Sequence, residues 1–243
     1  MGNHRAKMRE RFEEILDQCA LGENVELNLV VCSRECKLLM RKGNKADYLI
    51  GGEVIWGAYS PPRISPSLII DGGANIGMFS MIAHAFFPDI PVVCYEPDTS
   101  NLVQLASNLK TNGIPAKIVP KALWSKETTL FYHVGESYTG YVNEVQSNFP
   151  IECTVAEVSE GSWLKLDIEG AEYEALPEIL SRGVRPAMIS MEIHSNHVSG
   201  KTLVDLLEAS GYKLRKPHDL KAHCTNVEAD FSGKSGSMHQ NQK

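Results

Sequence analysis

Residues 68–77, Leu-Ile-Ile-Asp-Gly-Gly-Ala-Asn-Ile-Gly, decide the fold of this chain. The run from Leu68 to Asp71 is apolar, ends in a carboxylate and predicts a short buried strand. The glycine-rich turn at 72–77 leads into the apolar stretch 78–87, which we predict to be a helix. A strand, a glycine-rich turn and a helix in this order open a doubly wound α/β sheet, which binds its ligand beyond the carboxyl end of the strand.

The same unit recurs toward the carboxyl end of the chain. We predict further main strands at 91–95, 116–119, 163–166 and 187–193, helices at 99–112, 171–180 and 201–210, and shorter strands at 130–133, 152–155 and 212–214. Strands that alternate with helices of about ten residues form parallel βαβ units with right-handed crossovers. The predicted fold class is therefore α/β, with a mostly parallel, twisted, Rossmann-like sheet and helices on both of its faces.

The two ends of the chain differ from this core. Residues 5–20 carry apolar side chains at helical spacing, and residues 26–56 alternate like strands, with Gly-Asn and Gly-Gly as turn signals. We therefore divide the chain into an N-terminal helix and β-hairpin extension (1–62), a Rossmann-like domain (63–220) and a polar tail (221–243). The tail is rich in Gly and Ser, and we expect it to be loosely ordered.

The composition restricts the partners of the chain. It has 243 residues, of which 43% are hydrophobic and 22% charged, and a formal net charge of −6. This acidic balance argues against a nucleic-acid partner, which would need a basic face. No stretch approaches the ~20 apolar residues of a membrane span, and the first residues do not resemble a signal peptide. The six cysteines are scattered, so we expect a reduced, cytoplasmic setting and no membrane partner.

The glycine-rich turn fits two kinds of cofactor. Positions 72–77 match a dinucleotide fingerprint with Ala74 at the second glycine, and Glu96 follows at the spacing of about 20 residues typical of a ribose-binding acid. The methyl group of Ala74, however, crowds the place where the pyrophosphate of NAD must approach. Positions 71–77 also fit the pattern DxGxxxG. Its acid, Asp71, would repel a pyrophosphate but suits the α-ammonium group of S-adenosylmethionine, whose ribose Glu96 can hold.

Four segments, taken in order, resemble the FkbM family of class I S-adenosylmethionine-dependent methyltransferases. They are DGGANIG (71–77), YEPDTSNLVQLASNLKTNG (95–113), VPKAL (119–123) and LKLDIEGAEYEAL (164–176). The resemblance spans residues 66–195. It implies a Rossmann-like class I methyltransferase fold, S-adenosyl-L-methionine as the cofactor, and methyl transfer mostly to oxygen, often on natural products or sugars. The alternatives are N-methylation by the same fold and an NAD-dependent oxidoreductase.

Carried over position by position, the resemblance also implies a cofactor site. Its residues are Asp71, Gly73, Asn75, Gly77, Glu96, Pro97, Ala122 and Asp167. Glu96 would hold both ribose hydroxyls, and Pro97 would shape the adjoining turn. Ala122 would lie near the adenine edge, while Asp167, at the end of the fourth main strand, would face the transferred methyl group.

An aliphatic hydroxyl needs a base before it attacks a methyl group. Five candidates follow the fourth and fifth main strands: Asp167, Glu169, Glu172, Glu192 and His194. Because imidazole titrates near neutral pH, we expect His194 to be the base, with Asp167 or Glu192 orienting it. Glu172 is expected to cap the following helix. The alternative, a divalent ion between Asp167, Glu192 and His194, has no supporting ligand spacing, so no metal is predicted.

The acceptor has no motif of its own. Tyr138, Tyr141 and Phe149 precede the fourth main strand and are candidates to line its pocket, although packing would explain them equally well. With no basic surface to hold a polyanion, we expect a small-molecule acceptor. Nothing in the sequence decides between a monomer and a homodimer.

Overall fold

The structure is a computed structural model that describes residues 25–44, 46–48, 59–134, 140–194, 199–216 and 224–233. The predicted helix at 5–20 and the pocket candidate Tyr138 lie outside these residues. Within the described part of the chain, no helix combines the length and the apolar character needed to cross a membrane.

The described elements follow the predicted alternation. The helices are α1 (Met78–Phe86), α2 (Thr99–Thr111), α3 (Glu172–Ser181) and α4 (Lys201–Ala209). The strands are β1 (Val25–Val31), β2 (Arg34–Met40), β3 (Ile69–Gly72), β4 (Val92–Tyr95), β5 (Ala116–Val119), β6 (Ala122–Leu123), β7 (Thr128–Val134), β8 (Gly140–Asn143), β9 (Pro150–Thr154), β10 (Trp163–Leu166), β11 (Met188–His194), β12 (Tyr212–Leu214) and β13 (Cys224–Phe231). Every strand and helix predicted from residue 68 onward overlaps one of these elements.

The main sheet has seven strands in the order β12-β13-β11-β10-β3-β4-β5. All neighbours from β11 to β5 are parallel, whereas β13 runs antiparallel to both β11 and β12. Adjacent residues of β3 serve different cores, because side chains of a strand alternate between its faces. Ile69 packs in the cluster of Phe79 on α1, and Ile70 packs with Leu176 on α3 and Leu207 on α4. The predicted Rossmann-like α/β fold with helices on both faces is confirmed.

The sheet topology places a crevice at its centre. The chain runs from β3 outward to β4 and β5, and later lays β10 and β11 on the other side of β3. The carboxyl ends of β3 and β10 are therefore neighbours, with Gly72 in register with Leu166. Such a reversal of strand order is the point where open α/β sheets bind their ligands. The turns after β3 and β10 form the two sides of this crevice.

The N-terminal hairpin differs in detail from its prediction. Strands β1 and β2 pair antiparallel around a tight turn at Cys32 and Ser33, which have φ angles of 50° and 64°. Two positive φ values in a row match the right-handed twist of a hairpin, but Asn and Gly are the residues that usually adopt them. The sequence therefore carried no signal for this turn. The strand pattern predicted for 26–56 ends at Met40 within the described residues.

The prediction of a loosely ordered tail from residue 221 is wrong for β13, which lies between β11 and β12 in the main sheet. Val227 and Ala229 are buried in the core below α3 and α4, and the guanidinium of Arg215 donates to the carboxylate of Asp230 at 2.8 Å. The alternating apolar residues of this strand are few. The Gly- and Ser-rich residues after it dominate the composition of 221–243, so the strand was not predicted.

Strands β6 to β9 form a second, four-stranded sheet in the order β6-β9-β7-β8. Its small core contains Ala122, Leu130 and Cys153. On this sheet Tyr141 and Phe149, two of the predicted pocket residues, line an open cavity of about 450 Å³.

Candidate active site

A buried ion-pair network lies below the crevice. Asp71 at the end of β3 is fully buried, and its Oδ2 atom accepts a hydrogen bond from the Ser80 hydroxyl at 2.6 Å. The ammonium of Lys165 on β10 lies 3.3 Å from Asp71 Oδ1 and 3.5 Å from Asp167 Oδ2, and it donates to the carbonyl of Gly73 at 2.7 Å. Burial would lower the pKa of Lys165, but the charges of Asp167 and Asp71 outweigh it and raise this pKa. Lys165 therefore stays a cation and ties the two turns together.

The glycines of the β3 turn are needed for packing. Gly73 has φ 73°, and a Cβ atom there would lie 1.9 Å from the carbonyl oxygen of Asp167. Gly77 has φ 90°, and its Cβ would meet Leu105 on α2 at 2.8 Å. No other residue adopts such φ values without cost. Both predicted loop glycines therefore let the turn lie against its neighbours.

Four backbone amides of this turn already donate hydrogen bonds within the protein. Gly73 and Ala74 donate to the carbonyl of Tyr95, Gly77 donates to Ala74, and Asn75 donates to the Glu96 carboxylate at 2.8 Å. A pyrophosphate is held by amides that point into the ligand site, and these four do not. The geometry therefore disfavours the dinucleotide alternative. Asn75 itself has φ 48°, a left-handed conformation that asparagine tolerates better than most residues.

Glu96 follows β4 and is 5% exposed. Its carboxylate accepts hydrogen bonds from the amide of Asn75 at 2.8 Å, the amide of Asp98 at 2.9 Å and the side chain of Asn101 at 3.2 Å. Burial raises the pKa of Glu96, and these three donors oppose the rise. The half-buried Pro97 and the helix cap Asp98, which accepts from the amide of Asn101, complete the turn. The carboxylate is held rigidly at the position expected of a ribose-binding acid.

Ala122 lies away from this turn in β6. Its side chain is buried against Leu130 and Cys153 in the core of the small sheet. The contact of Ala122 with an adenine stays a prediction.

A second carboxylate, Glu172, holds the turn after β10. It is fully buried at the start of α3 and accepts from the amide of Ile168 and the amide of Gly170, both at 2.9 Å. The residue between them, Glu169, has φ 56°. Strained conformations of this kind persist only where the surroundings hold them, and they are common at active sites. Glu172 lies in the first turn of α3, as predicted for a residue stabilised by the helix dipole, but the amides that it holds belong to the turn before the helix, and no side chain caps α3 by a hydrogen bond.

His194, the predicted base, ends β11 beside this turn and is 7% exposed. Its Nδ1 atom lies 3.1 Å from Glu172 Oε1, and its Nε2 atom lies 3.3 Å from Glu169 Oε2. Two glutamates that were not predicted to orient the ring therefore contact it, and the orienting role of Asp167 or Glu192 stays a prediction. The turn after β10 accounts for these contacts, because it brings Glu169, and Glu172 at the start of α3, next to the end of β11.

The strand ends also bring Asp167, Glu192 and His194 together. One ligand atom from each lies within 4.8 Å of the other two. Residues of β11 two positions apart share a face, which explains the approach of Glu192 and His194. The side chain of Asp167 is partly exposed and pairs with the ammonium of Lys165, and its contact with the transferred methyl group stays a prediction.

These observations agree with a comparison with known protein families. The model of the methyltransferase FkbM domain matches residues 71–214. The chain belongs to this family. It is an S-adenosylmethionine-dependent methyltransferase, and S-adenosylmethionine is its cofactor.

The other comparisons with known proteins do not identify a substrate for this chain. Similar solved structures include the fibrillarin pre-rRNA processing protein of Methanococcus jannaschii (11% identity, 86% of this chain, 84% of that chain, TM-score 0.49). Another is precorrin-6y C5,15-methyltransferase from Geobacter metallireducens (13% identity, 79% of this chain, 89% of that chain, TM-score 0.44). Small ribosomal subunit protein uS15 of Staphylothermus marinus is 31% identical over 99 aligned residues. That match spans 33% of this chain and 64% of the ribosomal protein.

The turns after β3 and β4 carry polar atoms that can bind the cofactor of the FkbM domain. The Oε1 atom of Glu96 already accepts two hydrogen bonds, whereas Oε2 accepts one and keeps a lone pair to which a ribose hydroxyl can donate. The Oδ1 atom of Asn75 is buried and has no hydrogen-bond partner among the described residues. Asp71 is fully buried beneath Ser80 and Lys165, so the direct contact predicted between its carboxylate and the cofactor ammonium is disfavoured.

Two residues of this site, Ser80 and Asn101, were not among those predicted. Both have common side chains on helices, and nothing in their spacing marks them. Lys165 and Glu172 could be anticipated, because Lys165 shares a strand face with Asp167 and Glu172 comes at the start of the following helix.

Glu169 gives the FkbM domain a pH-dependent stability. Burial raises the pKa of Glu169 from its ordinary value of 4.5 to about 7; Asp167, Glu172 and Glu192 add to the rise, and His194 opposes it. Between these two pH values the folded state binds more protons than the unfolded state, so the free energy of unfolding falls as the pH rises. This decrease in the free energy of unfolding is on the order of 3 kcal/mol, and Glu169→Gln is expected to abolish it. Urea unfolding of both proteins at pH 4.5 and 7.5 measures this, and parallel pH profiles would contradict it.

Proposed function

We propose that this chain transfers a methyl group from S-adenosylmethionine to a hydroxyl group of a small molecule, with His194 as the base. The observation that carries the proposal is the contact between His194 Nδ1 and the buried Glu172 carboxylate. An ionised carboxylate can only accept a hydrogen bond, so the proton on Nδ1 faces Glu172. Nε2 faces Glu169 Oε2 at 3.3 Å and keeps its lone pair when Glu169 is protonated, which the raised pKa of Glu169, about 7, allows. This is the tautomer in which a histidine can take a proton from an acceptor.

The residues around the crevice would act as follows. Lys165 holds Asp167 at the carboxyl end of β10, beside the cofactor turn. The acceptor hydroxyl replaces Glu169 at Nε2 of His194 and gives its proton to that atom. Glu172 stabilises the imidazolium that results. The cofactor supplies the methyl group, activated as a sulfonium substituent, and the positions of the reacting groups supply much of the rate.

The base supports oxygen as the methylated atom. A hydroxyl oxygen attacks well only as its proton leaves, whereas a neutral amine has its lone pair available without a base. A histidine fixed by a fully buried glutamate is therefore better explained by a hydroxyl acceptor. The labelling experiment below distinguishes methylation of oxygen from methylation of nitrogen.

Electrostatics support a small acceptor over a nucleic acid. Asp167, Glu169 and Glu192 are all partly exposed around the crevice, and the whole chain carries a formal charge of −6. Phosphates of a nucleic acid would meet carboxylates there, while nucleic-acid binding relies on lysine and arginine contacts. A neutral or cationic small molecule meets no such repulsion.

The proposal is tested with S-adenosylmethionine labelled with ¹³C on its methyl group. The protein is incubated with either a small-molecule extract or an RNA fraction, and the labelled product is identified by NMR and mass spectrometry. We expect label in a methyl ether from the small-molecule arm only, and unchanged turnover in excess EDTA. Label on nitrogen or in RNA would overturn the acceptor assignment, and loss of turnover with EDTA would favour a metal at Asp167, Glu192 and His194.

A further inference from the structure

The N-terminal hairpin is joined to α2 by side-chain amides. Asn112 accepts from the amide of Lys37 at 2.7 Å and donates to its carbonyl at 2.7 Å. One turn earlier, Asn108 accepts from the amide of Leu39 at 2.9 Å and donates to its carbonyl at 3.2 Å. Gln104, a further turn back, donates to the Leu39 carbonyl at 2.8 Å. Residues four apart share a helix face, so these amides satisfy the edge of β2 as a neighbouring strand would.

Arg41, directly after β2, continues this contact to the first turn of α2. Its Nε and Nη2 atoms donate to the carboxylate of Asp47, which is fully buried, at 3.0 and 2.6 Å. Its Nη1 atom donates to the hydroxyl of Ser100 at 3.0 Å, and its Nη2 atom donates to Oδ1 of Asn101 at 2.9 Å. The planar guanidinium is well suited to hold several acceptors at once, which lysine cannot do.

Asn101 carries this contact on to the cofactor turn. Its Oδ1 atom is held by Arg41, and its side-chain amide donates to Glu96 Oε1 at 3.2 Å. Because an amide has its oxygen and nitrogen on opposite sides, fixing the oxygen also fixes the direction of the donor. The charge of Arg41 also interacts with those of Asp98 and Glu96. The chain of contacts therefore runs from the hairpin to the carboxylate proposed to hold the ribose.

We propose that Arg41 is a positioning residue for the cofactor: it fixes Asn101 and, through Asn101, the carboxylate of Glu96. The N-terminal hairpin is then a part of the cofactor site, although it lies outside the residues 71–214 that match the FkbM domain. This inference rests on the proposed ribose contact of Glu96. A hairpin that served only to cover α1 and α2 would stabilise the fold without changing the affinity for the cofactor.

Two single variants separate these roles. Arg41→Lys keeps a cation beside Asp47 but cannot also reach Asn101, and Asn101→Ala leaves the Arg41–Asp47 pair intact. Each is expected to weaken the binding of S-adenosylhomocysteine about tenfold, as for the loss of a hydrogen bond to a charged group. Both variants break the same chain of contacts, from Arg41 through Asn101 to Glu96. The double variant is therefore expected to bind S-adenosylhomocysteine no more weakly than either single variant.

The dissociation constants are measured by isothermal titration calorimetry on the full chain, with melting temperatures recorded in parallel. Lys37→Met is the matched control, since the side chain of this exposed hairpin lysine pairs with Glu26 at 3.5 Å, and the variant is expected to bind the ligand normally. A lowered melting temperature with an unchanged dissociation constant, or losses that multiply in the double variant, would overturn the inference. Glu96→Ala separates the two proposals: if it binds normally, the ribose contact itself is wrong.

Discussion

Lys165→Met is expected to destabilise the folded protein by about 3–5 kcal/mol, as for a buried ion pair that loses one partner. Lys165 is nearly inaccessible, and its ammonium lies between Asp71 and Asp167. Methionine fills much of the same volume but leaves the fully buried Asp71 without its cation. Since domains are stable by only about 5–15 kcal/mol, this loss is a large part of the total.

The measurement is urea unfolding of wild type and variants at one pH. Lys117→Met is the control, because its ion pair with Glu157 is exposed and is expected to contribute nothing measurable. The double variant Lys165→Met with Asp71→Asn removes both charges and is expected to recover part of the lost stability. If Lys165→Met unfolds at the wild-type midpoint, the network does not hold the two turns as described.

His194→Ala is expected to lower turnover by a factor of about 10² to 10⁴, the usual contribution of a positioned base. The binding of S-adenosylhomocysteine should stay close to that of wild type, because His194 lies at the end of β11, two strands from β3, whereas the proposed ribose contact follows β4. The loss should therefore appear in turnover at saturating cofactor, with the acceptor found in the labelling experiment.

His84→Ala is the matched control for this variant. His84 lies in the last turn of α1, and α1 starts at the cofactor turn and runs away from it, so the replacement removes an imidazole without touching the crevice. Full turnover is expected for it. If His194→Ala also keeps wild-type turnover, the base is another group, and if it loses the cofactor as well, His194 has a role in binding.

The fold could be predicted largely from local patterns. The run that ends in Asp71, the glycines after it and the alternation of strands with helices are features of neighbouring residues, and each predicts a backbone conformation directly. The same patterns placed Asp71, Glu96 and Asp167 at strand ends, where parallel topology makes ligand sites. The turn at Cys32 and Ser33 was missed because neither residue type is typical of its φ angles.

By itself the sequence determined which backbone elements form, in what order, and which polar residues end the strands. The tertiary structure decided the partners of those residues: Glu172 and Glu169 for His194, Asp71 for Lys165, and Arg41 for Asn101, 60 positions away. The physical reason is range. Backbone conformation follows from steric and hydrogen-bonding preferences within a few residues, whereas a buried polar side chain pairs with whatever the sheet order and helix packing bring within hydrogen-bonding distance.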